Sequence, residues 1–115
     1  MKQKQIILSF ITFLTSISLF SQQVDTLVDV GGYKLHFKII KGNGTPILFE
    51  AGSMAYSSDW DTILPSIYKV TGTTLITYDR AGFGKSELNL ADTTVLNHGI
   101  INGVKELEIG LQKSG

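Results

Sequence analysis

The octapeptide "DRAGFGKS", Asp79 to Ser86, decides the fold, because its last three residues can close either a phosphate-binding loop or a plain backbone turn. A loop of the G-x-x-x-x-G-K-[ST] type uses an early glycine so that backbone N–H groups can curl around phosphates. Counted back from Gly84-Lys85, that glycine falls at position 79, where Asp79 would set a negative charge among phosphate oxygens. The dinucleotide fingerprint G-x-G-x-x-G fails as well, since Gly82-Phe83-Gly84 would have to be followed by a glycine at position 87, which is Glu87. A structural turn is expected here, with no nucleotide bound.

Working outward, "TTLITY", Thr73 to Tyr78, is apolar and rich in strand formers and runs straight into Asp79. Before it, "SMAYSSDWDTILPSIYKV" supplies a loop and a helix: Ser58 and Asp61 have capping-box spacing, and Trp60, Ile63, Leu64, Ile67 and Tyr68 share one helical face. Pro65 predicts that this helix is short or kinked, because an interior proline loses a backbone bond and clashes one turn back. Ile47-Leu48-Phe49 is apolar without alternation and ends at Ala51-Gly52, the pattern of a strand covered on both faces. Tyr33, Leu35, Phe37 and Ile39 alternate with Lys34, His36 and Lys38, a half-buried antiparallel strand whose polar face leaves His36 in solvent. Val24 to Val30 is its hairpin partner, with Gly31-Gly32 as the tight turn. After the octapeptide, Val95 to Lys113 reads as a helix on Leu96, Ile100, Val104, Leu107 and Leu111, weakened by Gly99, Gly103 and Gly110. A hairpin followed by strand, helix, strand and helix opens an α/β domain.

Composition narrows the function classes. The 115 residues are 43% hydrophobic and 17% charged, with ten basic against ten acidic side chains, so no long-range field recruits nucleic acid or an anionic surface. Lys2 and Lys4 precede an apolar run from Ile6 to Phe20 that is too short and too rich in Ser and Thr to span a bilayer, and Ser21 offers a small-residue exit. Residues 1–21 are therefore expected to be a secretory signal peptide, with an uncleaved anchor as the alternative. Residues 22–115 then form the mature part, periplasmic or secreted, with no membrane span left after cleavage. There is no cysteine, so neither a disulfide nor a lipid-modified thiol is available. Two separated histidines and no cysteine offer no metal cluster, and no cofactor is expected.

The octapeptide resembles the turn after the fourth strand of α/β-hydrolases, D-x-x-G-x-G-x-S, with Asp79, Gly82, Gly84 and Ser86 on the pattern. "ILFEAGSMAYSSDW" is similar to the third strand of that superfamily running into its oxyanion loop and first helix, with Ala51-Gly52 where many members have His-Gly. The resemblance implies that Asp79, Gly82, Gly84 and Ser86 are structural. It also implies that Ser53 supplies one backbone N–H of an oxyanion hole, with Gly52 giving the chain freedom to turn; a strand-to-helix loop with no donor role is the plainer alternative. The fold it implies is the N-terminal part of an α/β-hydrolase, an antiparallel hairpin followed by parallel strands with crossover helices, in the sheet order first, second, fourth, third, fifth.

A catalytic set is not complete in these residues. The closest approach to G-x-S-x-G is Gly84-Lys85-Ser86-Glu87-Leu88, which lacks the last glycine. His36 and His98 are expected to be solvated rather than catalytic, and Glu50 to pair with Arg80 or with loop N–H groups. In α/β-hydrolases the triad follows in the order Ser, Asp or Glu, His, with the serine on the strand after the helix placed at Val95 to Lys113. The resemblance thus implies an exported serine hydrolase acting on a small molecule, an ester, amide or similar bond, whose nucleophile, acid and histidine lie beyond Gly115, and it implies that the 115 residues alone are inactive. A non-catalytic binding protein on the same fold, or a small secreted binding domain, are the other readings.

Overall fold

The computed structural model describes residues 23–91 and 100–115. The signal-peptide expectation for 1–21, His98, and the predicted helix start from Val95 to Gly99 lie outside them. Four strands form one mixed sheet: β1 (Gln23–Asp29), β2 (Lys34–Ile40), β3 (Ile47–Phe49) and β4 (Leu75–Tyr78), in the order β1-β2-β4-β3. β1 and β2 pair antiparallel, β2 and β4 antiparallel, and β3 and β4 parallel. Strands 3 and 4 can be parallel because a helical crossover joins them, a 3₁₀ turn at Ser57–Trp60 and then helix α1 (Leu64–Thr71). Helix α2 (Ile100–Ser114) follows the turn after β4.

The period of β2 builds the core. Leu35, Phe37 and Ile39 are buried on one face, and Leu35 and Phe37 with Val28, Val30, Tyr33 and Tyr78 receive Leu107, Ile109 and Leu111 of α2. Phe37, fully buried, stacks on Tyr78 with ring centroids 5.7 Å apart. Helix α2 comes down onto Phe37 at Gly110, where a Cβ would sit 2.4 Å from Phe37 Cζ, so only glycine permits this approach. Val104, placed by periodicity on the apolar stripe, is exposed.

Several local expectations are corrected. The helix with Pro65 is short, eight residues, as expected, but not through an interior break: α1 begins at Leu64, so Pro65 lies in the first turn, where a missing N–H costs nothing. Ser58 and Asp61 form no capping box; the 3₁₀ turn has no side-chain cap. β3 is not covered on both faces. It is the edge of the described sheet, and Ile47 and Leu48 are 36% and 39% exposed, although Phe49 packs against Trp60 at 5.3 Å between centroids.

Candidate active site

Two loops leave the carboxyl ends of the adjacent parallel strands β3 and β4, the edge at which open α/β sheets bind their ligands. They are organised in opposite ways.

The turn after β4 closes on itself around one side chain. Asp79, 3% exposed, accepts hydrogen bonds from the Ser57 N–H at 2.7 Å and the Lys85 N–H at 3.1 Å, and its other near neighbour is His36 Nδ1 at 2.9 Å. Ser86 Oγ donates to the Asp79 carbonyl at 2.6 Å and accepts from the His36 N–H at 2.8 Å, which ties the turn to β2. Gly82 and Gly84 have φ of 79° and 52°, and a Cβ on Gly84 would lie 2.4 Å from Asp79 Cγ. Of the "GKS" backbone the Lys85 N–H therefore does meet an anion, and that anion is the carboxylate of Asp79 itself. Burial alone would raise the Asp79 carboxyl, but the N–H donors of Ser57 and Lys85, with His36 and the Ser57 side chain, outweigh it and hold the pKa below the ordinary 3.8.

This cage overturns the placement of His36 in solvent. The side chain is 3% exposed, bridging Asp79 on one ring nitrogen and Asp25 of β1 on the other, where Nε2 lies 2.7 Å from Oδ1. The hydrogen bond from His36 holds the Asp25 carboxyl below its ordinary value. The alternation in β2 put His36 on the correct face; that face is covered by the folded-back turn, forty-three residues away in sequence.

The loop after β3 is open and strained. Glu50 accepts from Tyr78 Oη at 2.9 Å, not from Arg80 or loop N–H groups as expected. Burial and this carboxylate push the Tyr78 phenol well above its ordinary pKa, so it remains a donor across the ordinary pH range. Arg80 instead donates from its guanidinium to the Gly52 carbonyl at 2.6 Å, while lying over the Phe83 ring at 5.4 Å from the centroid. The Ala55 N–H donates to the same carbonyl at 3.2 Å, which makes Gly52 to Ala55 a β-turn. Its third residue, Met54, has φ of 62° and is 80% exposed, so a non-glycine residue occupies the left-handed position of a type II turn. Gly52 is not the residue that frees the chain to turn: its φ is not left-handed and an added Cβ would meet nothing within 4 Å.

Ser53 is exposed and lines an open cavity of about 440 Å³ together with Tyr78, Arg80, Phe83, Leu88 and Glu106. Among the described residues no acceptor takes the Ser53 N–H. Sequence reasoning missed Arg80 as the residue that grips this loop; its place directly after Asp79 was the available signal. Among the described residues no group of His, Cys, Asp and Glu is arranged to hold a metal, and no helix is long and apolar enough to cross a membrane.

No protein-family model matches the sequence, and no curated protein matches it. Solved structures do. The Cif epoxide hydrolase from Acinetobacter nosocomialis is 26% identical over 80% of this chain with a TM-score of 0.67. A bromoperoxidase from Bacillus anthracis is 21% identical over 78%, TM-score 0.62, and a thioesterase domain from the curacin biosynthetic pathway is 15% identical over 79%, TM-score 0.62. The chain spans 27%, 31% and 31% of the length of these three proteins. All are α/β-hydrolase fold members, and with the β1-β2-β4-β3 sheet and its two flanking helices this chain has the N-terminal part of the α/β-hydrolase fold.

Proposed function

We propose that the chain is the N-terminal portion of an exported hydrolase that cleaves an ester, amide or similar bond of a small molecule. A serine nucleophile, an Asp or Glu and a His beyond Gly115 form the triad, and residues 1–21 direct export to the periplasm or beyond. The observation that carries this reading is the loop after β3, where Ser53, whose N–H has no acceptor among the described residues, lines an open cavity. In acyl transfer, the serine attacks the carbonyl carbon and charge gathers on its oxygen. Two fixed N–H donors, Ser53 and the residue after the nucleophile, would meet that oxygen, each lowering the barrier by ~2.7–4 kcal/mol. The exposed apolar edge at Ile47 and Leu48 supports a further strand beside β3 carrying the nucleophile.

A second reading is favoured by the neighbours, several of which are epoxide hydrolases, one at 26% identity. Here the substrate is an epoxide opened in the same cavity. A fluorophosphonate probe and p-nitrophenyl esters test the first reading on the complete chain: stoichiometric labelling with ester turnover is expected, while residues 22–115 alone give neither. Diol formation from styrene oxide without labelling would replace it by the second, and inertness to both would leave a binding protein.

A further inference from the structure

Arg80 is placed to do more than join two loops. Its guanidinium is fixed over Phe83 and grips the Gly52 carbonyl, and that carbonyl belongs to the same planar peptide as the Ser53 N–H. In a trans peptide the C=O and N–H point in opposite directions, so a residue that holds one end aims the other. The guanidinium also draws charge from the carbonyl oxygen, which strengthens the N–H at the far end as a donor. The turn needs such a grip, because Met54 is held in a backbone region that a non-glycine residue occupies only under outside constraint. Arg80 and Ser53 line the same cavity, while neighbouring Asp79 is wholly engaged in its own cage.

We propose that Arg80 is a positioning residue for hydrolysis, acting through the Gly52–Ser53 peptide to aim and polarise the Ser53 N–H. The proposal rests on the reading of Ser53 as the oxyanion donor. The test is a double-mutant cycle in the complete chain, with kcat and KM measured on a p-nitrophenyl ester. Arg80→Gln lowers kcat by roughly 10- to 100-fold with little change in KM, the scale on which a misplaced group acts. Ser53→Pro, which deletes the N–H, lowers kcat further, and on that background Arg80→Gln costs no more than about 2-fold, the mark of two residues acting through one contact. Equal losses from Arg80→Gln with and without Ser53→Pro, or a change in KM alone, would overturn the Arg80 role while leaving Ser53 in place. An unchanged kcat in Ser53→Pro would remove the parent reading, and the role of Arg80 with it. If Arg80→Gln fails to fold, Arg80→Lys carries the same cycle, with a smaller loss again confined to the Ser53 background.

Discussion

The turn at 79–86 has the look of a phosphate-binding sequence and closes on its own carboxylate, whereas the loop at 50–55, with Ala51-Gly52 in place of the commoner His-Gly, is the candidate site. The difference lies in where their backbone donors go. After β4, the Asp79 carboxylate takes the Lys85 N–H of its own turn and the Ser57 N–H of the 3₁₀ turn in the crossover, and Ser86 closes the turn onto β2. After β3, the carbonyl of Gly52 is held by the Ala55 N–H from within the loop and by Arg80 from the turn after β4, while the next N–H has no acceptor among the described residues and its residue, Ser53, lines the cavity. In the glycine-rich turn the Lys85 N–H is already occupied by the chain's own anion, whereas in the loop after β3 the carbonyl is held and the next N–H has no acceptor among the described residues.

The contrast can be broken by substitution, most severely at Asp79. Asp79→Ala would leave two backbone donors and His36 without their buried carboxylate, a loss of about 3–5 kcal/mol by analogy with other broken buried ion pairs. Urea unfolding of the complete protein measures it; a loss under 1 kcal/mol would show that the cage does not hold the turn. Next come the glycines. Gly84→Ala drives a Cβ into the Asp79 carboxylate and should cost about 1–3 kcal/mol, whereas Gly52→Ala meets open space and should stay within about 0.5 kcal/mol. Equal melting-temperature shifts for the two would erase the distinction between the loops.

Acid sharpens the same comparison. The Asp79 carboxyl sits below 3.8 in the folded protein, so its contribution to stability is complete above that value and is lost as pH falls through the folded pKa. Stability should therefore decline below about pH 4 more steeply in the parent protein than in Asp79→Asn. Parallel pH profiles would contradict the cage. The smallest effect belongs to Met54→Gly, which relieves a left-handed residue but adds freedom to the unfolded chain, and should move stability by less than about 1 kcal/mol.

What the sequence disclosed follows from the range of each interaction. The alternation of Leu35, Phe37 and Ile39 is local, and it identified the buried face of β2 and the hairpin through Gly31-Gly32. His36 was misplaced because its burial comes from the turn carrying Asp79 and Ser86, which no local period reveals. Glu50 and Tyr78 meet across parallel strands separated by a whole crossover, and Arg80 finds Gly52 in the same way. Pro65 was placed inside the helix rather than at its start because the start of α1 rests on the 3₁₀ turn before it, not on the apolar stripe. In the site itself, the left-handed conformation falls on Met54 rather than Gly52, a backbone property that residue identity concealed.

The central claim is that the Ser53 N–H, free of any structural duty, serves the reaction. Ser53 stands at the second position of a turn of type II signature, where proline is well tolerated, and no acceptor among the described residues uses its N–H. Ser53→Pro therefore removes one donor with little structural penalty, and Ser53→Ala retains it. The decisive measurement is kcat together with the melting temperature for both variants of the complete protein. The account predicts a fall of about 10²–10³-fold in kcat for Ser53→Pro with the melting temperature kept, and near-parental kcat for Ser53→Ala. Near-parental turnover by a well-folded Ser53→Pro protein would contradict it.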